Sequence, residues 1–125
     1  YKSYMYDNIF INKKLRVVMD CGNAVGGIIA PEIYKNFNIE LKELFCDVDP
    51  SFPNHHPDPT VDSNLKDIIK EMKTGKYDVG IAFDGDADRI VAVDNHGNII
   101  RADILLAFLL KFVVKQNDSV VYDVR

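Results

Sequence analysis

At 125 residues, with 47% hydrophobic and 27% charged side chains, the chain has the size and balance of one globular domain that needs no disulfide or structural metal. Its net charge of −4 offers no basic field for nucleic acid and disfavours anionic membranes. The longest apolar stretch, residues 104–114, is interrupted by Lys111 and too short to span a bilayer, and no basic-then-apolar leader opens the chain.

Taken in order, Tyr1, Tyr4, Met5 and Ile9 follow helical spacing and read as the tail of a helix. An apolar run at 15–19 ends at Asp20 as a buried strand. Gly22, Gly26 and Gly27 form a loop, 28–37 a helix, and 41–45 a second strand. Residues 47–59 carry four prolines and no periodicity, so they form a loop. Ser63 is placed to cap a helix through Leu65, Ile68, Ile69 and Met72 that Gly75 closes. Strands follow at 77–83 and 90–93, then an Asn95-His96-Gly97-Asn98 turn and an apolar helix at 104–114, with Asp103 near its start. The apolar face of that helix reads as core rather than as a partner groove, with a neighbouring domain able to cover part of it. Helical crossovers demand parallel neighbours, and the short link between the last two strands allows a hairpin. The expected fold is α/β: a three-layer α/β/α domain with a small mixed four-stranded sheet, its last strand antiparallel. Val120-Val121-Tyr122-Asp123 echoes Val17-Val18-Met19-Asp20, as if a second unit were starting. The expected division is 1–14 as the end of a preceding helix and linker, 15–117 as the domain, and 118–125 as the first strand of a following, truncated domain.

The strongest chemical signal is Phe83-Asp84-Gly85-Asp86-Ala87-Asp88-Arg89 at the end of an apolar strand. Alternate carboxylates share one side of an extended backbone, but ~6.6 Å apart they are too far for joint chelation unless the chain curves. Gly85 and the small Ala87 permit that curvature. Three like charges this close call for a cation, and an all-carboxylate set favours a hard one, Mg²⁺ first. Arg89 adds a fixed positive fork suited to phosphate oxygens. A calcium EF-hand would need glycine where Arg89 stands and glutamate where Asn95 stands. A haloacid-dehalogenase-like phosphohydrolase with Asp84 as nucleophile is the better rival, although Asp88 departs from its pattern.

These residues resemble the metal loop of the α-D-phosphohexomutases. Asp20-Cys21-Gly22-Asn23 and Phe52-Pro53-Asn54-His55-His56-Pro57-Asp58-Pro59 match the second domain of that family too, in the right order. The resemblance runs from about Leu15 to Arg125. It implies interconversion of hexose 1-phosphates and 6-phosphates, of mannose, glucose or both, through a phosphoserine and a bisphosphorylated intermediate. It implies Mg²⁺ held by Asp84, Asp86 and Asp88, Arg89 as a catalytic residue beside the reacting phosphoryl group, and Arg125 as a substrate contact. The family's phosphoserine lies in a T-A-S-H-N-P-like segment, and Ser3, Ser51, Ser63 and Ser119 have no such context. The implied partners are therefore a phosphosugar substrate and missing domains of the same polypeptide, in the cytoplasm, with neither nucleic acid nor membrane. The 125-residue chain alone is expected to be inactive.

Among lesser features, the glycine loop at 20–27 fits neither dinucleotide nor P-loop spacing and reads as a tight turn. His55 and His56 lack a third nitrogen or sulfur ligand nearby, so a hydrogen-bonded His55 in a rigid loop is expected, with His96 solvated. Cys21 and Cys46 lie far apart in the sequence and match no C-x-x-C spacing, and each reads as a buried free thiol at a strand end rather than a disulfide or metal ligand, in a reducing compartment.

Overall fold

The computed structural model describes residues 2–121, so Tyr1 and residues 122–125, among them Tyr122, Asp123 and Arg125, lie outside the described residues. A first helix, α1 (Lys2–Asn8), leads to β1 (Leu15–Asp20), α2 (Gly26–Lys35) and β2 (Ile39–Leu44). After the proline-rich loop come a 3-10 turn (Asp62–Leu65), α3 (Lys66–Met72), β3 (Val79–Phe83), β4 (Ile90–Val93), β5 (Ile99–Ile100) and α4 (Ala102–Val113). The sheet order is β2-β1-β3-β4-β5. β1 lies in the interior and runs parallel to both neighbours, with Val17 opposite Leu41 and Val79. β4 returns antiparallel to β3, as expected for a short link.

Among the described residues the sheet has five strands, one more than the sequence pattern indicated. β5 is two residues long, pairing Val93 with Ile99 and Ala92 with Ile100. Two residues cannot show a period. What holds them is the turn before: the Asp94 carboxylate accepts the N–H groups of His96 at 2.9 Å and Asn98 at 2.8 Å, and Gly97 takes φ +84°. A second difference concerns Ser63, which lies inside the 3-10 turn and makes no capping hydrogen bond. Gly75 does close α3, at φ +72° with its N–H on the Met72 carbonyl.

Strand parity separates the layers. Gly80 and Ala82 face α3, and a Cβ added at Gly80 would stand 3.0 Å from the end of Ile68, so the helix side chains rest directly on strand backbone. Val18, Leu65, Ile68, Met72, Ala82, Val91 and Val93 close that face into a buried core. Each large aliphatic there contributes roughly 1.5–3 kcal/mol of transfer free energy. Phe83 has the opposite parity and meets α2, where Gly26 comes within 3.9 Å of its Cβ once given a side chain. Helices thus cover both faces, the three-layer arrangement expected.

The exception is α4. Its apolar face is not core within this chain: none of its residues is buried, and Phe108 and Phe112 are 54% and 72% exposed. Apolar composition makes the helix; it does not supply the surface that would cover it.

Candidate metal centre

β1 and β3 are adjacent parallel strands, and both run out at an aspartate, Asp20 and Asp84. Asp84 is 1% exposed. The chain curls around it: the Ala87 N–H donates to the Asp84 carbonyl at 3.1 Å, and the Arg89 N–H donates to Asp84 Oδ1 at 3.0 Å. Arg89 Nε then donates to Asp84 Oδ2 at 2.7 Å and lies 3.7 Å from Asp88 Oδ1. The tight step is Ala87, at φ +61°, a left-handed conformation that costs a non-glycine residue about 1 kcal/mol or more. The turn closed by the Ala87–Asp84 bond is centred on Gly85 and Asp86, and Ala87 redirects the chain beyond it.

The curl brings one oxygen each of Asp84, Asp86 and Asp88 within 4.8 Å of one another, with Asp86 and Asp88 exposed. A hard cation with oxygens at ~2.1 Å sets opposed ligands ~4.2 Å apart, so small side-chain shifts would satisfy it. Electrostatics point the same way. Burial pushes the Asp84 carboxyl up, but the N–H donors and charge of Arg89 outweigh it and hold the group below the ordinary carboxylate value. The charges of Asp86 and Asp84 push Asp88 up. A bound cation would relieve that repulsion. The donor set is all hard oxygen, which fits Mg²⁺.

Neighbouring loops fix the curl. A Cβ on Gly26, at the start of α2, would come 3.2 Å from the Cβ of Ala87. Pro57 is buried; its Cγ would be 3.8 Å from a Cβ on Gly85, and its Cβ 2.9 Å from one on Gly22. The proline-rich loop therefore wedges between the β1 turn and the acidic loop. It is anchored by His55, whose Nε2 lies 3.1 Å from both oxygens of the buried Asp20, while its Nδ1 faces the His56 carbonyl at 2.9 Å. The ring thus bridges the buried carboxylate and the His56 carbonyl and ties the proline-rich loop to the end of β1. Burial pushes the Asp20 carboxyl up; His55 and the Gly22 N–H offset part of that.

Asp84, Asp86, Asp88 and Arg89 thus come together; of the expected glycine loop only Gly22 lies in the turn, while Gly26 and Gly27 open α2. Gly22 and Asn23 are both left-handed, and Asn23 binds the loops through Asp47, Asp49, Phe45 and Asn54. His55 is hydrogen-bonded and His96 exposed, as expected. Two features were missed. Asp58, three residues beyond His55, interacts electrostatically with Arg89, and only its place in a recognised motif could have flagged it. Cys21 and Cys46 are free thiols as expected, but their contact, with sulfurs 3.3 Å apart, was not visible in the sequence.

Fold and site together define a three-layer α/β/α domain that presents a carboxylate cluster fit for a hard cation beside an arginine. Residues 3–97 match the family model described as phosphoglucomutase/phosphomannomutase, alpha/beta/alpha domain II, and the chain belongs to that family. It is 44% identical to a phosphomannomutase/phosphoglucomutase of Pseudomonas aeruginosa and 42% identical to a phosphoglucomutase of Neisseria meningitidis, with all of this chain aligned. It spans only 27% and 28% of their lengths, respectively. A solved phosphoglucomutase/phosphomannomutase family protein from Burkholderia thailandensis superimposes with a TM-score of 0.82 at 39% identity, over 89% of this chain and 25% of that one. Among the described residues, no helix is long and apolar enough to cross a membrane.

Proposed function

We propose that residues 15–117 are the metal-holding domain of a phosphohexomutase that moves a phosphoryl group between the 1- and 6-positions of mannose or glucose. Residues 1–14 and 118–125 would belong to its neighbours. The observation that carries this reading is the curl around Asp84, which gathers three carboxylates at one strand end with Arg89 against them. Asp84, Asp86 and Asp88 would hold Mg²⁺, which when bound supplies charge neutralisation at the transferring phosphoryl group. Arg89 commits Nε–H to Asp84, yet its side chain remains 60% exposed, so the rest of the fork can reach phosphate oxygens. Arg125, outside the described residues, would touch the sugar phosphate. A phosphoserine from another part of the polypeptide would complete the metal shell, and a bisphosphorylated sugar would be the intermediate. The 125-residue chain alone would then bind metal weakly and turn nothing over. The rival hydrolase, with Asp84 as nucleophile, would instead show phosphatase activity in this chain that Asp84→Asn abolishes.

The test is a titration of the chain with Mn²⁺, followed by the loss of free-ion electron paramagnetic resonance signal. Asp86→Asn and Asp88→Asn, both at exposed positions, are expected to weaken binding at least ~10-fold. In the longer polypeptide the same changes should suppress conversion of glucose 1-phosphate to glucose 6-phosphate. Unchanged Mn²⁺ affinity in both variants, or mutase turnover by the isolated chain, would sink the reading.

A further inference from the structure

We propose that Cys21 and Cys46 form a thiol-exchange site that takes small-molecule disulfides and closes into an intrachain disulfide. Both thiols are free, with Sγ atoms 3.3 Å apart. The contact follows from the sheet. In the parallel register of β1 and β2, Asp20 stands opposite Leu44, and the ladder continues with the Cys21 N–H on the Leu44 carbonyl at 3.2 Å. Cys21 and Cys46 are then offset by one residue on neighbouring segments, which spans ~6 Å between Cα atoms, within the range that disulfides use. Phe45, left-handed at φ +53°, turns the chain there and swings Cys46 back toward β1. Closing the sulfurs to ~2.05 Å requires a small rotation, not a backbone rearrangement.

The two thiols differ in access and acidity, which sets their order of reaction. Cys46 is half-buried and Cys21 fully buried. Contact with Cys21 holds the Cys46 thiol below its ordinary value, while the same contact and burial push Cys21 up. Cys46, as thiolate, attacks one sulfur of a disulfide such as oxidised glutathione; a Cys46–glutathione bond forms and one glutathione thiolate leaves. Cys21 then gives up its proton, attacks Cys46 Sγ and expels the second glutathione thiolate. Two protein thiols are oxidised by two electrons, one glutathione disulfide is reduced, and the two protein protons end on the two released thiols. The bond would pin the Cys21-Gly22-Asn23 turn to the segment against which α2 begins, since a Cβ on Gly27 would stand 2.0 Å from the Cys46 carbonyl oxygen.

The chain is equilibrated with reduced and oxidised glutathione at fixed ratios, quenched by alkylation, and analysed by intact mass and peptide mapping. The expected product is a monomer with Cys21 linked to Cys46, reversed by dithiothreitol. At the same glutathione ratio it should be favoured at least about tenfold over the urea-unfolded chain, because the fold holds the sulfurs in contact. Cys21→Ser should trap glutathione on Cys46, and Cys46→Ser should leave Cys21 unmodified. Thiols that stay reduced, two separate glutathione adducts, intermolecular dimers, or no preference over the unfolded chain would each overturn the proposal. The wild-type comparison decides even if a variant fails to fold.

Discussion

Asp20 and Asp84 occupy equivalent places, each at the end of a central parallel strand and each 1% exposed, yet their carboxyls are driven in opposite directions. The difference lies in the partner. Asp84 is wrapped by its own loop, which brings a permanently charged guanidinium and an N–H donor, and these outweigh burial. Asp20 meets an imidazole delivered by a loop 35 residues away, and burial prevails. One position, two environments: the first suits a group that must remain an anion beside a cation, the second a group that ties a loop to the strand end.

The largest effect that would sharpen this contrast is on metal. Asp84→Asn removes a ligand and the counter-charge of Arg89, and should weaken Mn²⁺ binding by roughly 100-fold or more, whereas Asp20→Asn should change it less than about threefold. Equal losses in the two variants would erase the distinction. Next comes stability. Asp20→Ala strands the Gly22 N–H and His55, and should lower unfolding free energy by roughly 1–3 kcal/mol in urea titrations. Asp20→Asn should cost under about 1 kcal/mol, because its amide still offers His55 a hydrogen-bond partner while its oxygen accepts from Gly22. If asparagine is as damaging as alanine, hydrogen bonding is not what Asp20 contributes there.

The smallest effect is in the pH dependence. A raised carboxyl such as Asp20 binds its proton more tightly when folded. Its contribution is therefore complete below the unfolded value of about 3.9 and is lost as pH rises through the folded one. Asp78 is the opposite case: hydrogen bonds from the Arg16 guanidinium and N–H draw it down to about 2. Its contribution is present above the unfolded value of about 3.9 and disappears as pH falls toward 2. Asp78→Asn should flatten the acid limb of stability against pH between those values. Asp20→Asn should instead remove a decline that begins above them. Parallel changes in both curves would show that the two carboxyls do not differ in this way.

What could be read from the sequence followed range of interaction. Apolar runs bounded by glycine, proline or aspartate marked four strands, because each run is long enough to declare itself. Ile99–Ile100 was not, since a two-residue strand is held by the Asp94 turn and by β4. The acidic loop was legible because its ligands lie within five residues. The Cys21–Cys46 contact and the Asp20–His55 clamp depend on strand register and loop return, which no local pattern encodes. Ser63 had the right chemistry for a cap, but the chain entered α3 through a 3-10 turn in which that hydroxyl has no amide to serve. For α4 the pattern correctly indicated an apolar helix, and burial did not follow.

That uncovered helix also alters how the chain should respond to denaturant and heat. Denaturant sensitivity and the heat-capacity increment of unfolding both scale with surface newly exposed when the chain opens. Phe108, Leu109, Phe112 and Val113 already meet water in the folded state, so losing the fold adds little there. The 125-residue chain should therefore melt with a shallower urea slope and a smaller heat-capacity step than its length suggests. Covering α4 would restore both toward the values expected of a closed domain.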